Sequence, residues 1–75
     1  MESEKRNEML SVYRAELPHG AMKKIAKKAS VHPMSVTHFL KGRNKSYRIE
    51  KAVLEYIAEL REERKRLINE AGLKQ

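Results

Sequence analysis

Seventy-five residues carry 17 Lys and Arg against 10 acidic side chains, a formal charge of +7, with no cysteine. A chain of this length makes a single domain, residues 1–75, that buries only about 60% of its unfolded surface, and it leaves no room for a second, ligand-sensing domain. Without cysteine there is no disulfide framework and no thiolate chemistry; no apolar run approaches the roughly 18 residues of a membrane span and no leader-like stretch follows Met1, so a cytoplasmic protein without membrane contact is expected.

The charge is unevenly placed. Between Ala21 and Arg48 lie eight cations (Lys23, Lys24, Lys27, Lys28, Lys41, Arg43, Lys45 and Arg48) and no carboxylate, while the remaining residues hold nine basic and ten acidic side chains, a net −1. A surface that only has to stay soluble mixes both signs along its length. Excluding every carboxylate from a central third points to an anionic partner.

Hydrophobic spacing predicts four helices and no strand. The first runs from about Ser3 to Glu16, with Met9, Leu10, Tyr13 and Leu17 as its inner stripe. Pro18 disfavours helix at Leu17, and Gly20 suits the next N-cap. The second spans about Ala21 to Lys28 and turns Met22, Ile25, Ala26 and Ala29 inward. Its four lysines repel one another by a few tenths of a kcal/mol at i,i+4 spacing, and no glutamate within the helix relieves them, which favours phosphate as their partner. The third starts at Pro33, whose missing N–H would be unpaired there anyway. It runs to Leu40 or Lys41, with Gly42 as its stop; Val36, Phe39 and Leu40 face inward, and Met34, Ser35, Thr37, His38 and Lys41 outward. A basic loop, Gly42-Arg43-Asn44-Lys45-Ser46, ends on a serine suited to cap the fourth helix, about Tyr47 to Ala71. Ile49, Val53, Ile57 and Leu60 are its inner stripe, and Leu67, Ile68 and Ala71 restore an apolar side beyond the charged run Arg61–Arg66. Roughly 24 helical residues span about 36 Å, more than the width of so small a body, so the distal part should project or pack on another chain. Tyr47 and Tyr56 are expected in the core or against a nucleic-acid backbone, not as stacking platforms.

The segment Ile25-Ala26-Lys27-Lys28-Ala29-Ser30-Val31-His32-Pro33-Met34-Ser35-Val36-Thr37-His38-Phe39-Leu40-Lys41-Gly42 resembles the DNA-binding helix-turn-helix of bacterial repressors. It is most similar to the LacI-type headpiece, written I-A-x-x-A-G-V-S-x-x-T-V-S-R-V-L-N, whose structural relative is the lambda-repressor-like Cro/CI fold. Ala26 is small where two helices cross closely, Val31, Val36 and Phe39 fill the wedge between them, and Ser30 sits where the family puts a left-handed glycine. Ser30 in place of glycine adds a strain of about 1 kcal/mol. His32 replaces the family's serine cap, so that contact is lost or made by imidazole. His38 and Lys41 replace the usual arginine and asparagine, which would alter sequence preference.

The resemblance implies an all-α fold: a small four-helix (or five-helix) lambda-repressor-like domain with its helix-turn-helix core at about 21–42 and a long C-terminal helix at about 47–71. It further implies a sequence-specific, double-stranded DNA-binding transcriptional regulator, a repressor, with helix 33–41 in the major groove. Pro33, Met34 and His38 would meet base edges. Lys23, Lys24, Ser35, Thr37, Lys41, Arg43, Asn44, Lys45, Tyr47 and Arg48 would meet phosphates. Such repressors commonly act as symmetric dimers, and Leu60, Arg64, Leu67, Ile68 and Ala71 are the expected homodimer contacts.

Other chemistries find little footing. His19, His32 and His38 lack the spacing and the companion ligands for a metal, no effector pocket or cofactor is legible, and neither a Gly-rich phosphate loop nor a Ser/His/Asp set points to an enzyme. Two alternatives remain: a helical interaction module for an acidic protein partner, and a non-specific architectural nucleic-acid binder.

Overall fold

Four helices, α1 (Glu2–Glu16), α2 (Ala21–Ala29), α3 (Pro33–Leu40) and α4 (Tyr47–Glu70), make up the computed structural model, which describes residues 2–73 and the side chains of 4–73. No strand occurs among the described residues. Each helix from α2 onward ends in the same way. A residue with positive φ follows it (Ser30 at 57°, Gly42 at 81°, Gly72 at 75°), and the next amide reaches back five residues. These are the bonds Val31 N–H to Ala26, Arg43 N–H to His38 and Leu73 N–H to Ile68, each 2.9 Å. This Schellman arrangement satisfies carbonyls that the helix leaves open.

The starts of α3 and α4 are capped by side chains, whereas α2 begins after Gly20 with no side-chain cap. Ser46 Oγ accepts the Ile49 amide at 3.3 Å, and His32 Nδ1 accepts the Met34 amide at 3.0 Å. The imidazole thus makes the cap that serine makes in the repressor pattern, and Pro33 occupies the first turn beside it.

α2 is the hub. Its Ala21, Ile25, Ala26 and Ala29 are buried against Val36, Phe39 and Leu40 of α3 and against Ile49, Ala52, Val53 and Ile57 of α4. Each fully buried large side chain contributes about 1.5–3 kcal/mol, while the alanines let the helix axes approach. α1 closes the core with Leu10 and Tyr13, and Leu17, Met22, Val31 and Tyr56 pack at its margin.

α1 is otherwise held by polar contacts. The Arg6 guanidinium lies over the Phe39 ring, 5.5 Å from its centroid, and donates to the Asn44 carbonyl. Arg14 donates to the Leu40 carbonyl at the end of α3. Tyr13 Oη donates to Glu50 at 3.3 Å, and Arg61 pairs with Glu16 at 3.1 Å.

Two packing expectations are corrected. Met9 does not belong to the inner stripe of α1 and is 50% exposed, because Arg6 and Arg14 take the positions flanking Leu10 and Tyr13. Of the two places expected for Tyr47, the core is excluded: at the first turn of α4 it is 76% exposed. The molecule measures 42 × 30 × 18 Å, and no helix among the described residues is long and apolar enough to cross a membrane.

Candidate nucleic-acid interface

α3 buries Val36, Phe39 and Leu40 and thereby fixes which side chains point away from the core. Met34, His38 and Lys41 recur at four- and three-residue spacing on the opposite side, one stripe of a helix. Met34 is 54% exposed and Lys41 is exposed, while His38 is half-covered by its neighbours. Pro33, Ser35 and Thr37 flank this stripe and are half-buried. The Thr37 hydroxyl donates to the Pro33 carbonyl at 3.3 Å, which leaves its oxygen lone pairs as acceptors.

The basic loop is anchored to α3 from both sides. Arg43 N–H closes the α3 cap on His38, and Asn44 Nδ2 donates to the Ser35 carbonyl at 3.4 Å. Arg6 grips the Asn44 carbonyl from α1. Asn44 therefore departs from its expected place among the phosphate contacts. Its amide faces inward as a brace, and its Oδ1 is shielded from solvent with no hydrogen-bond partner. Arg43 and Lys45, on either side of it, are exposed.

The cations are spread over three depressions, and Lys45 lines one of them with Lys5, Arg6 and Glu50 against α1. Lys41 and Thr37 share a depression with Met22 of α2 and Arg14 of α1, next to Lys23 and Lys24, which are exposed. Arg48 instead lines a depression with Lys28, Ser30, Lys51 and Glu55, where α4 passes the end of α2. Lys28 is, among the described residues, the one cation of the 21–48 stretch in an ion pair, with Glu59 of α4 at 3.0 Å. That hydrogen bond holds the Lys28 ammonium above its ordinary pKa. Glutamate thus does relieve one of the four α2 lysines, but from another helix.

Sequence reasoning missed Arg6 and Arg14. Both are tertiary contacts to main-chain carbonyls, and nothing in the local pattern of α1 marks them. Among the described residues no group of three or more His or Glu side chains is gathered as a metal site. Comparison with protein families, curated proteins and solved structures finds no match to this chain. Its class is therefore stated by its architecture: an all-α, four-helix protein that presents a cation-flanked helix, α3, on one side.

Proposed function

We propose that the chain is a sequence-specific, double-stranded DNA-binding transcriptional regulator, a repressor of lambda-repressor-like helix-turn-helix build, that inserts α3 into the major groove. The observation that carries this reading is the outward stripe Met34, His38 and Lys41, set within a stretch that holds eight cations and no carboxylate. Met34 packs on a thymine methyl, and His38 donates to guanine N7 or O6. Pro33, at the start of the helix, sets how closely α3 approaches the base edges.

Lys23, Lys24, Lys41, Arg43, Lys45 and Arg48, with the hydroxyls of Ser35, Thr37 and the exposed Tyr47, bind phosphate oxygens and fix the register on the duplex. The first amides of α4 add donors to the same anions. Contacts of this number make affinity fall steeply with salt, by a log–log slope of about −0.9 for each phosphate neutralised.

Selection from random duplexes, followed by sequencing, tests the reading. An enriched half-site is expected. Met34→Ala and His38→Ala should change which bases are preferred, each by about 1–3 kcal/mol of discrimination. Lys23→Ala and Arg43→Ala should weaken all duplexes alike and flatten the salt slope by about 1 each. Identical behaviour of the two pairs would displace α3 from the groove. Uniform retention without any enriched site would favour an architectural binder, and no retention at low salt would end the nucleic-acid reading.

A further inference from the structure

Arg6, Leu10, Tyr13 and Leu17 follow one another at four- and three-residue spacing along α1 and share its inner side. Leu10 and Tyr13 are buried and Leu17 is half-buried, yet the stripe begins with a half-buried arginine. Among the described residues Arg6 makes no ion pair, so no carboxylate offsets the partial burial of its charge. An aliphatic side chain would cover the Phe39 ring as well. What the guanidinium adds is a planar face on that ring, 5.5 Å from its centroid, with donors at its edge that reach the Asn44 carbonyl.

That carbonyl belongs to the loop between α3 and α4, which is tied elsewhere too. Gly42, at φ 81°, passes so close to α1 that a Cβ there would meet Leu10 Cδ1 at 3.5 Å. Arg43 N–H is bonded to the His38 carbonyl at 2.9 Å. Asn44 Nδ2 donates to Ser35 inside α3 at 3.4 Å, while its Oδ1 goes without a donor. A shielded oxygen left unpaired is costly. Here it is tolerated at the residue that turns inward between two exposed cations, Arg43 and Lys45.

The ties and the cations alternate along the loop. Asn44 is held by α1 through its carbonyl and by α3 through its amide, and its neighbours in sequence reach solvent. Ser35 lies in the same helix as the stripe Met34, His38 and Lys41. The bond to it therefore sets the loop at a fixed offset from that stripe. A loop free to take other shapes would have to lose that freedom on binding, which lowers affinity.

We propose that Arg6 and Asn44 are positioning residues that hold the 42–46 loop against α1 and α3, so that Arg43 and Lys45 stand ready for phosphate at a set distance from Met34 and His38. Neither positioning residue touches the duplex. Their role rests on the duplex-binding reading above, and it brings in α1, which lies outside the helix-turn-helix core.

Backbone 15N relaxation of the free chain, with titration of duplex over a range of salt, tests this on the parent, Arg6→Met and Asn44→Ala. The duplexes are the selected half-site and a scrambled sequence. Methionine keeps aliphatic cover on Phe39 and removes the donors. Asn44→Ala leaves the core untouched and decides the matter if Arg6→Met folds poorly. Order parameters at Arg43, Asn44 and Lys45 should fall in either variant from about 0.85 toward about 0.6, while those of α2 stay at the parent's values. Affinity for both duplexes should drop about tenfold, with the ratio between them and the salt slope unchanged, because no phosphate or base contact is removed. A slope smaller by about 1 would make the substituted residue a phosphate contact and overturn its positioning role. Loop order equal to the parent's in both variants would overturn it as well, and so would a loosened loop with undiminished affinity. A merely structural role lowers the melting temperature and moves neither the loop nor the affinity of the folded chain. A parent that retains no duplex would end the DNA reading, and the order parameters would still decide whether Arg6 and Asn44 hold the two cations in place.

Discussion

The acid-free stretch and the outer half of α4 are both heavily charged helical surfaces, and they differ in what lies beneath. Under the first, α2 and α3 enclose most of the core: Ile25, Val36 and Phe39 are almost wholly buried. Under the second there is no core, and its apolar residues face outward. The first surface rests on that core and carries no carboxylate of its own stretch, although Glu59 of α4 reaches Lys28. The second is of mixed sign, and its Leu67 and Leu73 are exposed with no core beneath them. Charge segregation along the sequence therefore coincides with a difference in what supports each surface.

The contrast is sharpest in stability. Phe39→Ala should cost about 3–5 kcal/mol, enough to unfold much of a domain this small, whereas Leu67→Ala should stay within about 0.5 kcal/mol for the isolated chain. Urea unfolding followed by circular dichroism, at concentrations below any association, measures both. Comparable losses would erase the distinction between a supported and an unsupported surface.

A smaller effect probes the turn that joins α2 to α3. Ser30 holds φ 57° and ψ 46°, a left-handed conformation that a Cβ disfavours. Ser30→Gly should raise stability by about 0.5–1 kcal/mol, the relief of strain less the entropy that glycine loses. A decrease would mean that the serine side chain supplies something beyond the turn.

The smallest effect concerns the seam between α1 and α4. Burial first, and then the Glu50 carboxylate, pushes the Tyr13 phenol up from its ordinary value of 10.0. The folded chain therefore favours the protonated form. Tyr13 adds its full contribution below about pH 10 and loses it as pH rises through the raised value. Tyr13→Phe should cost about 1 kcal/mol or less at neutral pH and should flatten the fall in stability above pH 10. Equal alkaline slopes in the two proteins would place that sensitivity elsewhere.

Most of the fold was legible because its punctuation is local. Pro33, Gly42, Ser46 and Gly72 act where they stand, and the helices start and stop within a residue or two of the expected positions. The inner faces of α2 and α3 were legible for the same reason: 3.6-residue periodicity decides them. Contacts made across the chain were not. Met9 and Leu10 compete for one stripe, and the outcome depends on Arg6 and Arg14 reaching carbonyls of the loop and of α3. Asn44 reads as one more polar residue in a basic loop until its amide is seen against Ser35. Glu59 lies 31 positions from the lysine it meets, so the sequence of α2 alone suggests four unrelieved lysines. Ala21 and Ala52, both buried, stayed out of the expected inner stripes because alanine fits a crossing and a surface equally well.

α4 runs without a break from its Ser46 cap to Glu70, which makes it a ruler as well as a wall. Each residue added to its outer half would advance the end of the helix by about 1.5 Å and swing it through about 100°. One inserted residue would thus misalign that end with the turn following α3, while seven would nearly restore its bearing at a greater reach. The distance between the acid-free surface and the outer end of α4 is written into this protein as a count of residues.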